Sequence, residues 1–279
     1  MKIQSLIRKI SVMLITTIML MPSILLADSM SINDGHVHYD EDVWSSLSPI
    51  EAVDLLKQAN IRRAMVSATP TDGAEQMYRA DPDLVIPMLR PYHSWRHRYF
   101  WFKDPGLREY LLSHLARVPY KGFGEFHIFA DDVQSAPVAE MIAIARERKL
   151  ALHPHTDIKG MQNFLKQAPD LAIIWAHAGF KVPLGELRKL LDEYPKLYLE
   201  LSLREGMLED GELLTTEWRD FLINYQQRIL VGSDTYKPPR WAELSEIVDD
   251  MRSWLTQLPD EAAENISVNN INRLFPEAE

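Results

Sequence analysis

Eight short apolar runs, each ending in polar residues and each followed by a stretch at helical spacing, limit what this chain can fold into. The runs are Ser31–His38, Arg62–Ala68, Leu84–Arg90, Gly122–His127, Leu150–His155, Ala172–His177, Leu197–Leu201 and Ile229–Ser233. Helix patterns lie at Pro49–Ala59, Gly73–Arg79, Gly106–Ala116, Val138–Arg148, Ile158–Gln167, Leu184–Glu193, Thr216–Tyr225 and Trp241–Leu255, with a last one near Val268–Phe275. A strand–helix unit repeated eight times predicts an α/β protein, a (β/α)8 TIM barrel, built as one domain over residues 28–279. The other arrangement of such units is a doubly wound open sheet. It usually carries a glycine-rich turn after its first strand, and here His36-Val37-His38-Tyr39 stands there instead.

Residues 1–27 stand apart from this pattern. Lys2, Arg8 and Lys9 precede the apolar run Ile10–Leu26, and Ala27 offers a small residue before Asp28. That layout predicts a secretory signal peptide and an exported protein, periplasmic or secreted. An uncleaved anchor is the other reading, although the run is short for a spanning helix and Pro22 interrupts it. Cleavage would take the net charge from −10 to −13 and leave no stable membrane association.

The 279 residues include no cysteine, which excludes disulfides, thiolate metal sites and a cysteine nucleophile. The acidic balance argues against nucleic acid as a partner and leaves a small molecule as the expected one; assembly into a homo-oligomer stays open. The longest irregular stretch, Pro91–Pro105, is dense in aromatics and cations. After the third strand, it would hang over a barrel mouth as a lid or a partner surface.

The histidines carry most of the chemical information. His36 and His38 end the first strand, Glu125 and His127 the fourth, His153 and His155 the fifth, His177 the sixth and Asp234 the eighth. In a barrel these ends converge on the face where active sites are built. On a strand, positions i and i+2 share a face, so His36 and His38 could hold one cation, and His153 and His155 repeat the spacing. Imidazole and carboxylate together suit Zn²⁺ and related divalent ions, and Asp234 could hold the metal or its water. His127 reads as an ordinary half-buried residue, His114 as a surface residue of a helix, and Asp234 alternatively as a helix N-cap.

Asp34-Gly35-His36-Val37-His38 resembles the opening motif of the amidohydrolase superfamily. Trp175-Ala176-His177-Ala178-Gly179 resembles its sixth-strand motif, and Val231-Gly232-Ser233-Asp234-Thr235 its eighth-strand aspartate motif. Asn269-Asn270-Ile271-Asn272-Arg273-Leu274-Phe275 is similar to the closing helix of the amidohydrolase-related branch, which includes aminocarboxymuconate-semialdehyde decarboxylase and the dicarboxylate lactonases. The resemblance implies a metal at the barrel mouth held by His36, His38 and one strand-five histidine, His153 or His155. It makes His177 a second metal's ligand or a general acid/base, and Asp234 the last ligand or the proton-shuttling base.

Gly122-Phe123-Gly124-Glu125 is also similar to the fourth-strand motif of TatD-type nucleases, in which the glutamate bridges two metals; other hallmarks of that group are absent. The expected activity is metal-dependent hydrolysis of a small ester, lactone or amide, with one or two ions, Zn²⁺ first among them. The alternatives are a decarboxylase of the same superfamily, a TatD-like nuclease and a non-catalytic periplasmic barrel that binds a metal or ligand. Arg90 and Arg204, after strands three and seven, would be the clamps for a substrate carboxylate.

Overall fold

The computed structural model describes residues 30–277; the expected signal segment 1–27 lies outside them. Eight parallel strands follow one another in chain order around a barrel. They are β1 Ile32–His38, β2 Ile61–Ser67, β3 Val85–Leu89, β4 Gly122–His127, β5 Ala151–His155, β6 Ile173–Trp175, β7 Leu197–Glu200 and β8 Ile229–Leu230. The outer helices are α1 Pro49–Gln58, α2 Asp72–Ala80, α3 Leu107–Leu115, α4 Ala136–Arg148, α5 Ile158–Gln167, α6 Leu184–Glu193, α7 Thr216–Asn224 and α8 Leu244–Leu255. Among the described residues no helix is long and apolar enough to cross a membrane.

Closure depends on the segment just past β8. Gly35 N donates to Val231 O (2.8 Å), Asp234 N to His36 O (2.8 Å) and His38 N to Thr235 O (2.7 Å). Asp34 reinforces the seam: its Oδ1 accepts from the backbone N–H of His36 and from that of Ser233, each at 2.9 Å. The wall between barrel and helices is apolar. Inside, Met65, Ile86, Met88, Ala151, Ile174 and Leu230 pack with Ile271 and Phe275 of the C-terminal helix. That helix is tied to the strands by Asn270 Nδ2, which donates to Ile229 O, and by Asn33 Nδ2, which donates to Val268 O and Asn272 Oδ1. Plugging one end with hydrocarbon leaves the other end for polar chemistry.

Local sequence explains many of the boundaries. Ser48 and Glu51 form a reciprocal capping box at the start of α1, and Asp157 accepts from Gly160 N at the start of α5. Several expectations need correction. β6 stops at Trp175 rather than His177, because His177, Ala178 and Gly179 adopt left-handed backbone (φ 57°, 44° and 68°). β8 ends at Leu230, before Gly232-Ser233-Asp234 turns out of the ladder with Asp234 at φ 46°. The helix expected over Trp241–Leu255 is two, Pro238–Ala242 and α8, and the closing helix begins as a π turn, Asn265–Asn269. His114 is buried rather than on the surface: its Nδ1 lies 3.1 Å from Glu75 Oε1 between α2 and α3.

The aromatic stretch 91–105 is anchored rather than free to swing. Tyr92, Trp101 and Phe102 are buried, and Trp101 Nε1 donates to His127 O (2.9 Å). Tyr99 and Phe100 remain exposed.

Candidate metal centre

The C-terminal ends of the strands bring together His36, His38, Glu125, His153, His155, His177 and Asp234. All but His155 are buried. Nε2 of His36 and Nε2 of His38 face each other at 3.0 Å. Asp234 Oδ1 lies 3.6 and 3.3 Å from these two nitrogens, and Glu125 Oε2 lies 3.7 and 3.3 Å from them. On the other side of Glu125, Oε1 lies 2.7 Å from His155 Nδ1 and 3.5 Å from His177 Nε2. Gly124 is required beside it, because a Cβ there would fall 2.4 Å from the Cβ of His153 on the paired strand.

This donor set fits a divalent cation. His36 Nδ1 lies 2.7 Å from Glu200 Oε2, an acceptor only, so it carries the ring proton and Nε2 presents a lone pair. His38 Nδ1 has Ser67 Oγ at 2.8 Å and the Arg90 guanidinium, through Nη2, at 2.9 Å. His177 Nδ1 donates to Ser202 O (2.9 Å), which likewise bares its Nε2. His153 Nε2 is buried and finds no protein partner. The strand-five pair therefore divides: His155 engages Glu125, whereas His153 packs edge-on against His36 (ring centroids 4.8 Å apart) with a nitrogen to spare. Among the described residues three donor triads stand out, His36–His177–Glu200, His36–His38–Glu125 and Glu125–His127–His155; Glu125 is common to the last two and His36 to the first two.

The electrostatics point the same way. Burial opposes charge on His36, yet Asp234, Glu200 and Glu125 outweigh it and hold its pKa well above the ordinary value. Burial pushes Glu125 up, but the surrounding histidines overcome this and keep it well below the usual carboxylate range. Burial, helped by His36, takes His153 down to about 3, so its ring is neutral and free to donate a lone pair. The carboxylates hold a proton on His36 while His153 stays neutral, so the buried group favours a positive charge at its centre, and a bound cation would take the place of that proton.

The two arginines have other partners. Arg90 is buried: Nη1 donates to Asp40 Oδ1 (3.0 Å) and Thr69 Oγ1 (2.8 Å), Nε to Glu125 O (2.9 Å), and Nη2 to Glu125 Oε2 (3.3 Å). It braces the wall of the site. Arg204 donates to Val182 O and lies over the Trp218 ring (5.0 Å), within a cavity of about 780 Å³ lined by the segments that follow strands six and seven. Asp234 is no helix cap: its side chain faces the imidazoles, and the next helix begins at Pro238.

Sequence reasoning missed Glu200, Ser202, Ser67 and Asp40. Glu200 ends an apolar strand, which is the same signal that marked the others.

An eight-stranded barrel with a histidine–carboxylate cluster at its mouth defines a metal-dependent enzyme of the amidohydrolase superfamily. The chain belongs to the amidohydrolase family, whose model matches residues 124–276. No curated protein matches it in sequence. Among solved structures it is similar to a probable 2-pyrone-4,6-dicarboxylic acid hydrolase from Acinetobacter baumannii with citric acid bound (12% identity, 89% of this chain and 100% of that one, TM-score 0.58). It is likewise similar to a 2,6-dihydroxybenzoate decarboxylase (12%, 89% and 100%, 0.57) and to a zinc-containing amidohydrolase from Burkholderia multivorans (14%, 89% and 100%, 0.56). At these identities the likeness is one of fold.

Proposed function

We propose that the protein is a metal-dependent hydrolase of a small ester, lactone or amide. The observation that carries the reading is the convergence of His36 Nε2, His38 Nε2 and Asp234 Oδ1 within 3.0–3.6 Å of one another. His36, His38 and Asp234 would hold the cation, Zn²⁺ by donor chemistry, with Glu125 and His153 or His155 completing the set. A divalent cation there supplies Lewis acidity to a substrate carbonyl and to water. The Asp234 carboxylate, deprotonated and at the mouth, would accept the proton from water through the oxygen that does not hold the cation. His177, with Nδ1–H held by the Ser202 carbonyl, uses Nε2 to take up a proton and return it to the leaving group. Phe180, stacked on the His177 ring at 4.3 Å, fixes the plane of that ring.

Decarboxylation is the second reading, supported by the decarboxylase among the structural neighbours. The test is elemental analysis of the purified protein, followed by a panel of esters, lactones and amides run beside carboxylic acids monitored for CO₂ release. Hydrolysis without CO₂ supports the first reading; CO₂ without hydrolysis replaces it. Neither activity in a protein that binds zinc leaves a binding barrel. We also propose export with removal of residues 1–27. N-terminal sequencing of protein from the native host should then start near Asp28, and a retained Met1 would overturn it.

A further inference from the structure

We propose that Glu200, acting with Ser202, is the positioning residue of the cation site: it fixes the ring tautomer and orientation of His36, and through Ser202 those of His177. The inference rests on the reading of the mouth as a cation centre and adds a residue that holds the donors without being one of them.

Glu200 ends β7 and is fully buried. Each of its oxygens is already engaged. Oε2 accepts from His36 Nδ1 (2.7 Å), Ser202 Oγ (2.9 Å) and the backbone N–H of His177 (3.3 Å), and Oε1 accepts from Ser202 N. A carboxylate surrounded by donors has little lone-pair capacity left for a metal, whereas it forces the proton of His36 onto Nδ1. Two residues on, the Ser202 carbonyl does the same for His177 Nδ1 (2.9 Å), and Ser202 Oγ stands 3.0 Å from the same nitrogen. One short segment after strand seven thus sets the rings of histidines from strands one and six. The barrel makes room for it: at Gly232 a Cβ would fall 2.4 Å from Glu200 Oε1 and 2.7 Å from the Cβ of His36. A side chain at 232 would displace the carboxylate from beneath the ring.

The experiment is calorimetric titration of Zn²⁺ into metal-stripped full-length protein, with wild type, Glu200→Gln, Glu200→Asp and His36→Ala. Co²⁺ absorption spectra and ¹⁵N shifts of the histidine rings are recorded for each. Glu200→Gln should weaken Zn²⁺ binding roughly 10–100-fold, the usual cost of losing a carboxylate behind a ligating histidine. It should also alter the His36 ring-nitrogen pattern while stoichiometry and the saturated Co²⁺ spectrum stay as in wild type. A lost equivalent of metal, or a changed coordination number at saturation, would make Glu200 a ligand and overturn the proposal. If His36→Ala abolishes binding while Glu200→Gln keeps the wild-type Kd, the positioning role fails and the cation site stands. If His36→Ala binds Zn²⁺ like wild type, the site reading itself fails. Should Glu200→Gln not fold, Glu200→Asp, which draws the carboxylate back from His36 Nδ1, carries the test: a Kd roughly tenfold weaker supports the proposal, and an unchanged Kd ends it.

Discussion

Oδ1 of Asp234 lies 3.3 Å from Nε2 of His38, so the strands that open and close the barrel meet through their side chains as well as their backbones. Asp234→Asn keeps the shape and removes the charge and basicity. If Asp234 is the base, kcat on the substrate found by the panel should fall by roughly 10²–10⁴. The melting temperature at saturating metal should barely move, because Asn suits the left-handed backbone at φ 46° as well as Asp does. Turnover near wild type would remove Asp234 from the mechanism.

Removing the metal should cost stability. A ligand at about 100 times its Kd stabilises the folded state by about 2.7 kcal/mol. In a domain of this size that corresponds to roughly 5–10 °C in Tm. Melting with chelator and with added Zn²⁺ should differ by that much, and His38→Ala should erase the difference.

Arg90 is a strut. Its guanidinium spans Asp40, Thr69 and both the carbonyl and carboxylate of Glu125, a reach that one ammonium cannot reproduce. Breaking a buried pair of this kind costs about 3–5 kcal/mol. Arg90→Met, which removes the charge, should therefore lower Tm by roughly 10 °C or more, and Arg90→Lys by less. A variant with an unchanged Tm and a raised KM for carboxylate-bearing substrates would restore the clamp reading.

Away from the site, Glu75 is held by Arg79 of its own helix and ties α2 to its surroundings through His114 and Tyr120, each at 3.1 Å. Burial raises its pKa, but those hydrogen bonds prevail and leave it below the ordinary 4.5. A carboxylate depressed in the folded state contributes stability above its unfolded pKa, and that contribution fades as pH falls through the folded value. Urea unfolding should show Glu75→Gln less stable than wild type at pH 7, with the gap closing below about pH 4. A gap constant from pH 7 to pH 3 would contradict this. Zn²⁺ affinity should be the same in both proteins.

The sequence spoke clearly wherever a local pattern decides the structure. The ends of α5 and α6 are set by Asp157 and Pro183 just before them, and Gly122–His127 is a strand at those very bounds. It spoke less clearly where distant partners decide. Ala176-His177-Ala178-Gly179 continues an apolar strand by composition, but the left-handed turn exists because Glu200 and Ser202 hold His177 from the next strand. His114 was legible in principle, since Leu107, Leu111 and His114 share one helical face, the buried one. The histidine cluster could be listed from strand ends alone. Which nitrogen faces inward, and that Arg90 serves the wall, required the fold.

The seam held by Asp34 has a consequence for how the molecule comes into being. His36 and His38 lie on one side of it and Asp234 on the other, so neither edge holds the full donor set. A cation seated there acts as a stitch between the earliest and the latest strands of the chain, and ring closure and chemical competence become one event. A polypeptide halted short of Ile229 would have two raw sheet edges and an incomplete set of ligands. Half-made molecules would be inert, and the reaction would begin only when the circle is whole.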